Sequence, residues 1–196
     1  MKQIPYGRQS IFRKDLREVI KSLSNDLITT GPYVEKFEKL IKKTLKAKFA
    51  LTCTSGTAAL HLAFMAINLK KNDVIILPII NFIAASNLGS MLQAKIYYAD
   101  VCPNTGQMTP ETLETCVKKN KLKNIKAVVT MYLGGNPDNV KNFYYLKKKY
   151  NFYLLEDACH ALGSKYTYNG KIYNVGSCVH SDICVFSLHP LKTITS

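Results

Sequence analysis

Residues 127–161 read AVVTMYLGGNPDNVKNFYYLKKKYNFYLLEDACHA, and their pattern decides the fold class. A short apolar, β-branched run at 127–131 passes through a turn into a lysine-rich helical segment at 140–150. A second apolar run at 152–155 then ends on Glu156 and Asp157. Strand, helix, strand at this spacing is the building unit of a parallel sheet. The alternation extends to both sides. Further strands are expected at 49–53, 74–77, 95–99 and 183–187, and further helices at 57–69, 82–92 and 110–117. Two helices precede them. One covers 10–24, with Ser10 as N-cap and Ile11, Leu16, Val19, Ile20 and Leu23 on its apolar face. The other covers 33–45 and is entered through Gly31-Pro32. Asn169-Gly170 marks a hairpin turn between 165–168 and 171–173. The fold class expected is α/β, a mostly parallel sheet with helices on both faces.

Composition agrees with a globular domain. The chain has 196 residues, 47% hydrophobic and 20% charged, which excludes a disordered or collagen-like polymer. The start, MKQIPYGRQSIFRKD, lacks the apolar centre of a secretory signal, and no run is long enough to span a bilayer, so a cytoplasmic chain without membrane contact is expected. The net charge of +14 raises nucleic acid as a partner, yet 24 of the 27 basic residues are lysine. Readers of bases favour the bidentate guanidinium, and no nucleic-acid-binding motif is present. The charge reads instead as solvated helix faces, and it also suits an acidic substrate. The six cysteines form no CxxC pair, so reduced thiols are expected. Cys178, His180, Cys184 and His189 crowd one segment but match no zinc spacing, so no metal is expected.

Ligands of open α/β sheets bind at the carboxyl ends of strands. After 49–53 comes Thr54-Ser55-Gly56-Thr57-Ala58-Ala59-Leu60, small residues opening a helix whose free amides suit a phosphate, or else an ordinary N-cap. After 74–77, Phe82 by itself reads as core more readily than as a ring-stacking wall. After 152–155, Asp157 is placed to hold a protonated ring nitrogen with His160 nearby, and the same residues read equally well as a cap and a hydrogen-bonded histidine. Beyond 183–187 lies Lys192, either a desolvated nucleophilic amine or one more surface lysine. Phosphate cradle, stacking aromatic, ring-nitrogen acid and lysine together are the inventory of a pyridoxal phosphate site.

The motifs TSGTAALHLA, PIINFIAASN, EDACHALGS, GKIYNVGS and SDICVFSLHPLKTIT resemble the DegT/DnrJ/EryC1/StrS sugar aminotransferases, as do IPYGRQSI and SNDLITTGPYVEKFE near the start. Within the family, the nearest likeness is to transaminases that aminate a UDP-linked 4-keto-6-deoxy amino sugar. The resemblance implies the type I pyridoxal-phosphate fold, with 1–32 as an N-terminal arm and helix and 33–196 as part of the large, cofactor-binding domain. It implies Lys192 as the Schiff-base lysine, Asp157 as partner of the pyridine nitrogen and His160 beside the ring. Phe82 would stack on the ring, while Gly56, Thr57 and Ser187 would hold the phosphate. Tyr6, Asp26, Leu27, Ile28, Thr29 and Ser55 match positions lining the sugar-nucleotide site. The implied partners are a nucleotide-sugar, glutamate as amino donor and a second subunit in a homodimer.

The sequence stops four residues after Lys192, at SLHPLKTITS, without a closing helix or polar tail. The expectation is a truncated chain lacking the small C-terminal domain. Three readings are expected: one half of a split transaminase with a separately encoded C-terminal half, a fragment of a longer transaminase, or an inactive remnant of such an enzyme.

Overall fold

In the computed structural model, which describes Gly7 and residues 9–195, the apolar runs pair into one five-stranded sheet. Its strands are β1 (Val74–Pro78), β2 (Lys95–Ala99), β3 (Ile125–Met131), β4 (Tyr153–Asp157) and β7 (Ile183–Val185), in the order β2-β1-β3-β4-β7. All four ladders are parallel. Parallel neighbours require crossovers, supplied by α4 (Ala84–Met91), α5 (Pro110–Lys119) and α6 (Val140–Tyr150). Between β4 and β7 the chain instead forms an antiparallel hairpin of β5 (Lys165–Tyr168) and β6 (Lys171–Asn174). Its turn has positive φ at Asn169 and Gly170, 47° and 72°, the geometry that an Asn-Gly pair accommodates.

The central strands are apolar throughout because both faces of the sheet are covered. Ile75, Leu77, Val129 and Leu155 pack with Leu60 and Phe64 of α3 (Gly56–Ala66) and with Leu88 of α4. On the other face, Ile76, Val128 and Leu154 pack with Leu113 of α5 and with Phe143 and Leu146 of α6. The two-residue alternation of β4 therefore turns Asp157 toward the α3 side and Glu156 toward the α6 side.

Three expectations are corrected. Residues 49–53 form no strand: Phe49 and Leu51 are exposed, and the Thr52 amide and hydroxyl donate to Glu38 Oε1 at 2.7 and 2.8 Å. An apolar run becomes a strand only where a neighbour offers a ladder, and none of the described strands pairs with it. The first helix, α1, runs over Arg13–Leu23 rather than from Ser10. It is entered at Phe12, whose amide donates to Asp15 Oδ2 at 2.8 Å. Its periodicity did produce a helix, but Ile11, Leu16, Val19, Ile20 and Leu23 are each more than half exposed, so no described residue covers that face. The next helix, α2 (Pro32–Leu45), begins with the proline at its first position, where a missing N–H costs nothing. Finally, β7 ends at Val185, and Phe186 and Ser187 leave the ladder.

Candidate active site

Two adjacent carboxylates at the end of β4 are almost wholly buried, Glu156 at 3% exposure and Asp157 at 4%. Burying a carboxylate is costly unless donors or a cation meet it. Glu156 Oε1 accepts from the Tyr132 hydroxyl at 2.6 Å. Asp157 Oδ1 accepts from the Cys159 amide at 3.2 Å, and among the described residues no ion pair reaches it.

The first turn of α3 approaches Asp157's side of the sheet. Ser55 caps this helix, its Oγ accepting from the Ala58 amide at 3.1 Å. The cap reading of Ser55 is therefore the one observed, with its O–H still free to donate. A Cβ built on Gly56 would lie 3.1 Å from Cys159 Sγ and 3.4 Å from Ser187 Cβ. Helix start, the turn after β4 and the residues after β7 thus converge on one point, from three distant stretches of chain. The Gly56 and Thr57 amides are first-turn donors with no carbonyl four residues back, at the positive end of the helix dipole. That combination favours a phosphate.

Lys192 is half-buried, in a turn held by its own hydrogen bonds. Its amide donates to the His189 carbonyl at 2.8 Å, the His189 amide to Ser187 Oγ at 3.3 Å, and Thr195 Oγ1 to the Leu188 carbonyl at 3.0 Å. The Lys192 ammonium is near enough to act on two neighbours. Burial and then the Lys192 charge push His160 below its usual value, against an opposing pull from Asp157. Its imidazole is neutral at neutral pH. Burial and then the charge of Asp157 push the Cys159 thiol up, with Lys192 opposing, so Cys159 stays protonated.

Gly56, Asp157, His160, Ser187 and Lys192 are therefore neighbours. Thr57 is exposed on the same helix start. Phe82 is 63% exposed in the turn after β1, which corrects the reading of it as core. Asp26, Leu27, Ile28 and Thr29 lie apart, in the exposed turn between α1 and α2. There Leu27 and Ile28 border a cavity of about 120 Å³ with Leu23, Tyr33 and Val34. Tyr6 lies outside the described residues. Gly7 lies near Leu191 of the lysine turn, whose side chain would be 3.1 Å from an added Cβ.

Sequence reasoning missed Cys159, which borders Gly56, and missed Tyr132. It also missed Gly135, where φ is 84° and a Cβ would lie 2.6 Å from the His160 carbonyl oxygen. Only the Gly-Gly pair at 134–135 offered a signal. The residues present fit a phosphorylated pyridine cofactor on two observations: a buried carboxylate with no ion pair among the described residues, and a close-approach glycine under helix-start amides.

A parallel sheet with a phosphate-suited helix start, a buried acid and a lysine gathered near its carboxyl edge makes an α/β domain with a candidate cofactor site. Residues 9–196 match the family model of the DegT/DnrJ/EryC1/StrS aminotransferases, and the chain belongs to that family. A UDP-4-amino-4,6-dideoxy-N-acetyl-beta-L-altrosamine transaminase of Campylobacter jejuni is 36% identical over 193 residues, covering 98% of this chain and 49% of that protein. Among solved structures, Helicobacter pylori PseC, an aminotransferase involved in the biosynthesis of pseudoaminic acid, superposes with a TM-score of 0.84 at 26% identity, covering 98% of this chain and 50% of that one. The PLP-form of Spr1654 from Streptococcus pneumoniae, described as a sugar aminotransferase, shares the fold with a TM-score of 0.86 at 23% identity, over 98% of this chain and 50% of its own. The chain spans about half the length of the curated relatives it matches. Among the described residues no helix is long and apolar enough to cross a membrane.

Proposed function

We propose that this chain forms the pyridoxal-phosphate-binding half of a nucleotide-sugar aminotransferase, which transfers an amino group from glutamate to a 4-keto-6-deoxy sugar nucleotide for surface glycan synthesis. The observation that carries the proposal is the convergence of Gly56, Ser187, Asp157 and Lys192 from three separate segments. Family membership, the altrosamine transaminase relative and the PLP-form neighbour support the same reading.

Bound here, the cofactor supplies an electron sink conjugated to the amino-acid carbon. Lys192 would hold it by its amine and would take and return the proton at the Cα of the amino donor. Asp157, buried and with no ion pair of its own among the described residues, holds the proton on the ring nitrogen through a charge-assisted hydrogen bond. The Gly56 and Thr57 amides and the Ser187 hydroxyl grip the phosphate. His160, neutral, lies alongside the ring without adding charge to it. Phe82, already exposed, stacks on the ring face. Ser55, at the start of α3, lies on the side left for the sugar nucleotide, and the resemblance assigns Tyr6, Asp26, Leu27, Ile28 and Thr29 to the same role. The bare apolar face of α1 supports a further polypeptide surface as partner, from a second subunit or from the remaining half of the enzyme.

The test is borohydride reduction of the purified chain with added pyridoxal phosphate, followed by peptide mapping. A reduced adduct confined to Lys192 is expected. Labelling scattered over many lysines, or none, overturns the proposal.

A further inference from the structure

Behind the strand that carries Asp157, a turn is held far more firmly than its exposed sequence requires. The turn follows β3 and contains a single 3-10 turn at Leu133–Gly135. The buried Tyr132 hydroxyl donates to Glu156 at 2.6 Å, and the Tyr132 amide donates to the Asp157 carbonyl at 3.1 Å. Gly135 approaches the His160 carbonyl so closely that an added Cβ would lie 2.6 Å from its oxygen. The Ser164 hydroxyl donates to the Gly135 carbonyl at 2.7 Å. On the far side sits Gln107, 7% exposed. In the amide orientation that satisfies its surroundings, it donates to the Met131 and Asn136 carbonyls, each at 3.0 Å. The turn is thus pinned at both ends and touches the main chain of both Asp157 and His160. Of these bonds, only the one between Tyr132 and Glu156 joins two buried side chains from successive strand ends.

We infer that Tyr132 and Glu156 are positioning residues: their buried hydrogen bond locks this turn against Asp157 and His160, fixing where a carboxylate and an imidazole meet a pyridine-ring ligand. The inference rests on the proposed function for the identity of that ligand, and on the structure alone for the brace. Burial pushes the Glu156 carboxyl up, opposed by the bonds from Tyr132, Ser181 and Cys184. Glu156 therefore keeps other donors when Tyr132 loses its hydroxyl, and Tyr132→Phe is a fair test in a folded chain. Glu156→Gln preserves the acceptor for Tyr132 and acts as the conservative rescue.

Two measurements decide it, on the same chain. The first is amide hydrogen exchange over 157–161 without any cofactor. The second is the affinity for pyridoxal phosphate, followed by the pH dependence of the bound cofactor's absorbance, which reports ring-nitrogen protonation. Tyr132→Phe is expected to speed exchange at 157–161 and to weaken retention about tenfold, the scale of one buried hydrogen bond. The absorbance profile is expected to shift as well, while Glu156→Gln stays near wild type in all three. Unchanged exchange in Tyr132→Phe overturns the inference, as does a lowered melting temperature with wild-type affinity and absorbance profile. Equal damage from Glu156→Gln also overturns it, because the charge and not the hydrogen bond would then be acting. If the wild-type chain captures no cofactor at Lys192, the proposed function fails, and the exchange measurement still decides the brace by itself.

Discussion

Glu156 and Asp157 are consecutive acids on one strand, equally buried, and their surroundings are opposite. Behind β4, Glu156 is met by the Tyr132 hydroxyl, with Ser181 and Cys184 as further side-chain neighbours. In front, Asp157 has one backbone donor and lies among Lys192, His160, Cys159 and the open start of α3. A buried acid with its own hydroxyl partner is part of the fold. A buried acid with no ion pair among the described residues, beside helix-start amides, suits a ligand that brings its own proton donor and an anionic group. The rear of the strand is complete by itself, and the front is complete only when something binds.

This contrast is breakable, and the largest effect is expected in front. Lys192→Ala removes the only amine that, among the described residues, acts on both His160 and Cys159, so borohydride-trapped cofactor should vanish from the peptide map while the melting temperature holds. Next comes Asp157→Asn, which keeps the shape and removes the charge. Loss of a charge-assisted bond of about 1.5–3 kcal/mol lowers cofactor affinity roughly tenfold to a hundredfold in a fluorescence titration. Stability should change little, and a large loss of stability with unchanged affinity would erase the distinction between front and rear.

Glu156→Ala should lower stability together with cofactor affinity, because it breaks the same brace. It strands the buried Tyr132 hydroxyl and costs about 1–3 kcal/mol of folding free energy, readable as a shift in urea midpoint.

A smaller, pH-dependent effect belongs to the rear as well. His180 is 5% exposed, ringed by Tyr144, Tyr166, Tyr168 and Tyr173, and its Nδ1 lies 2.8 Å from the Tyr166 hydroxyl. Burial, then the nearby Lys148 charge, pushes it below its usual value. The native state therefore binds fewer protons at His180 than the unfolded chain does. Its share of stability is present above the unfolded value of about 6.5 and is lost as pH falls through the window below it. The urea midpoint should drop between about pH 7.5 and 5.5, and the drop should shrink in His180→Phe. The smallest effect is expected at Gly56→Ala. Alanine favours the helix by about 1 kcal/mol, yet its Cβ meets Cys159 and Ser187, so cofactor affinity should fall only severalfold with stability unharmed.

Much of this was legible in the sequence because it is local. The two-residue and helical periodicities placed β1 to β4 and α2 to α6 within a few residues, and Asn169-Gly170 placed the hairpin. The motifs at Gly56, Asp157 and Lys192 pointed to segments that the structure brings together. Where the reading failed, the deciding partner was distant. Residues 49–53 carry a strand's composition but found no ladder, and the Thr52 amide went to Glu38 instead. Ser10 looked like a cap, but Asp15 reaching back to Phe12 set the start of α1. Phe82 has the side chain of a core residue and lies exposed at the edge of the sheet.

By itself the sequence determined a parallel α/β sheet and membership of an aminotransferase family, and it singled out candidate site residues, because periodicity, turn chemistry and motif spacing are written along the chain. Only the tertiary structure decided that Gly56, Cys159 and Ser187 meet at one point, and that Glu156 is satisfied by Tyr132 while Asp157 faces an open site. Those facts depend on which strands become neighbours and which face each side chain takes. Burial and hydrogen bonding choose between residues far apart in sequence only once the sheet has closed around them.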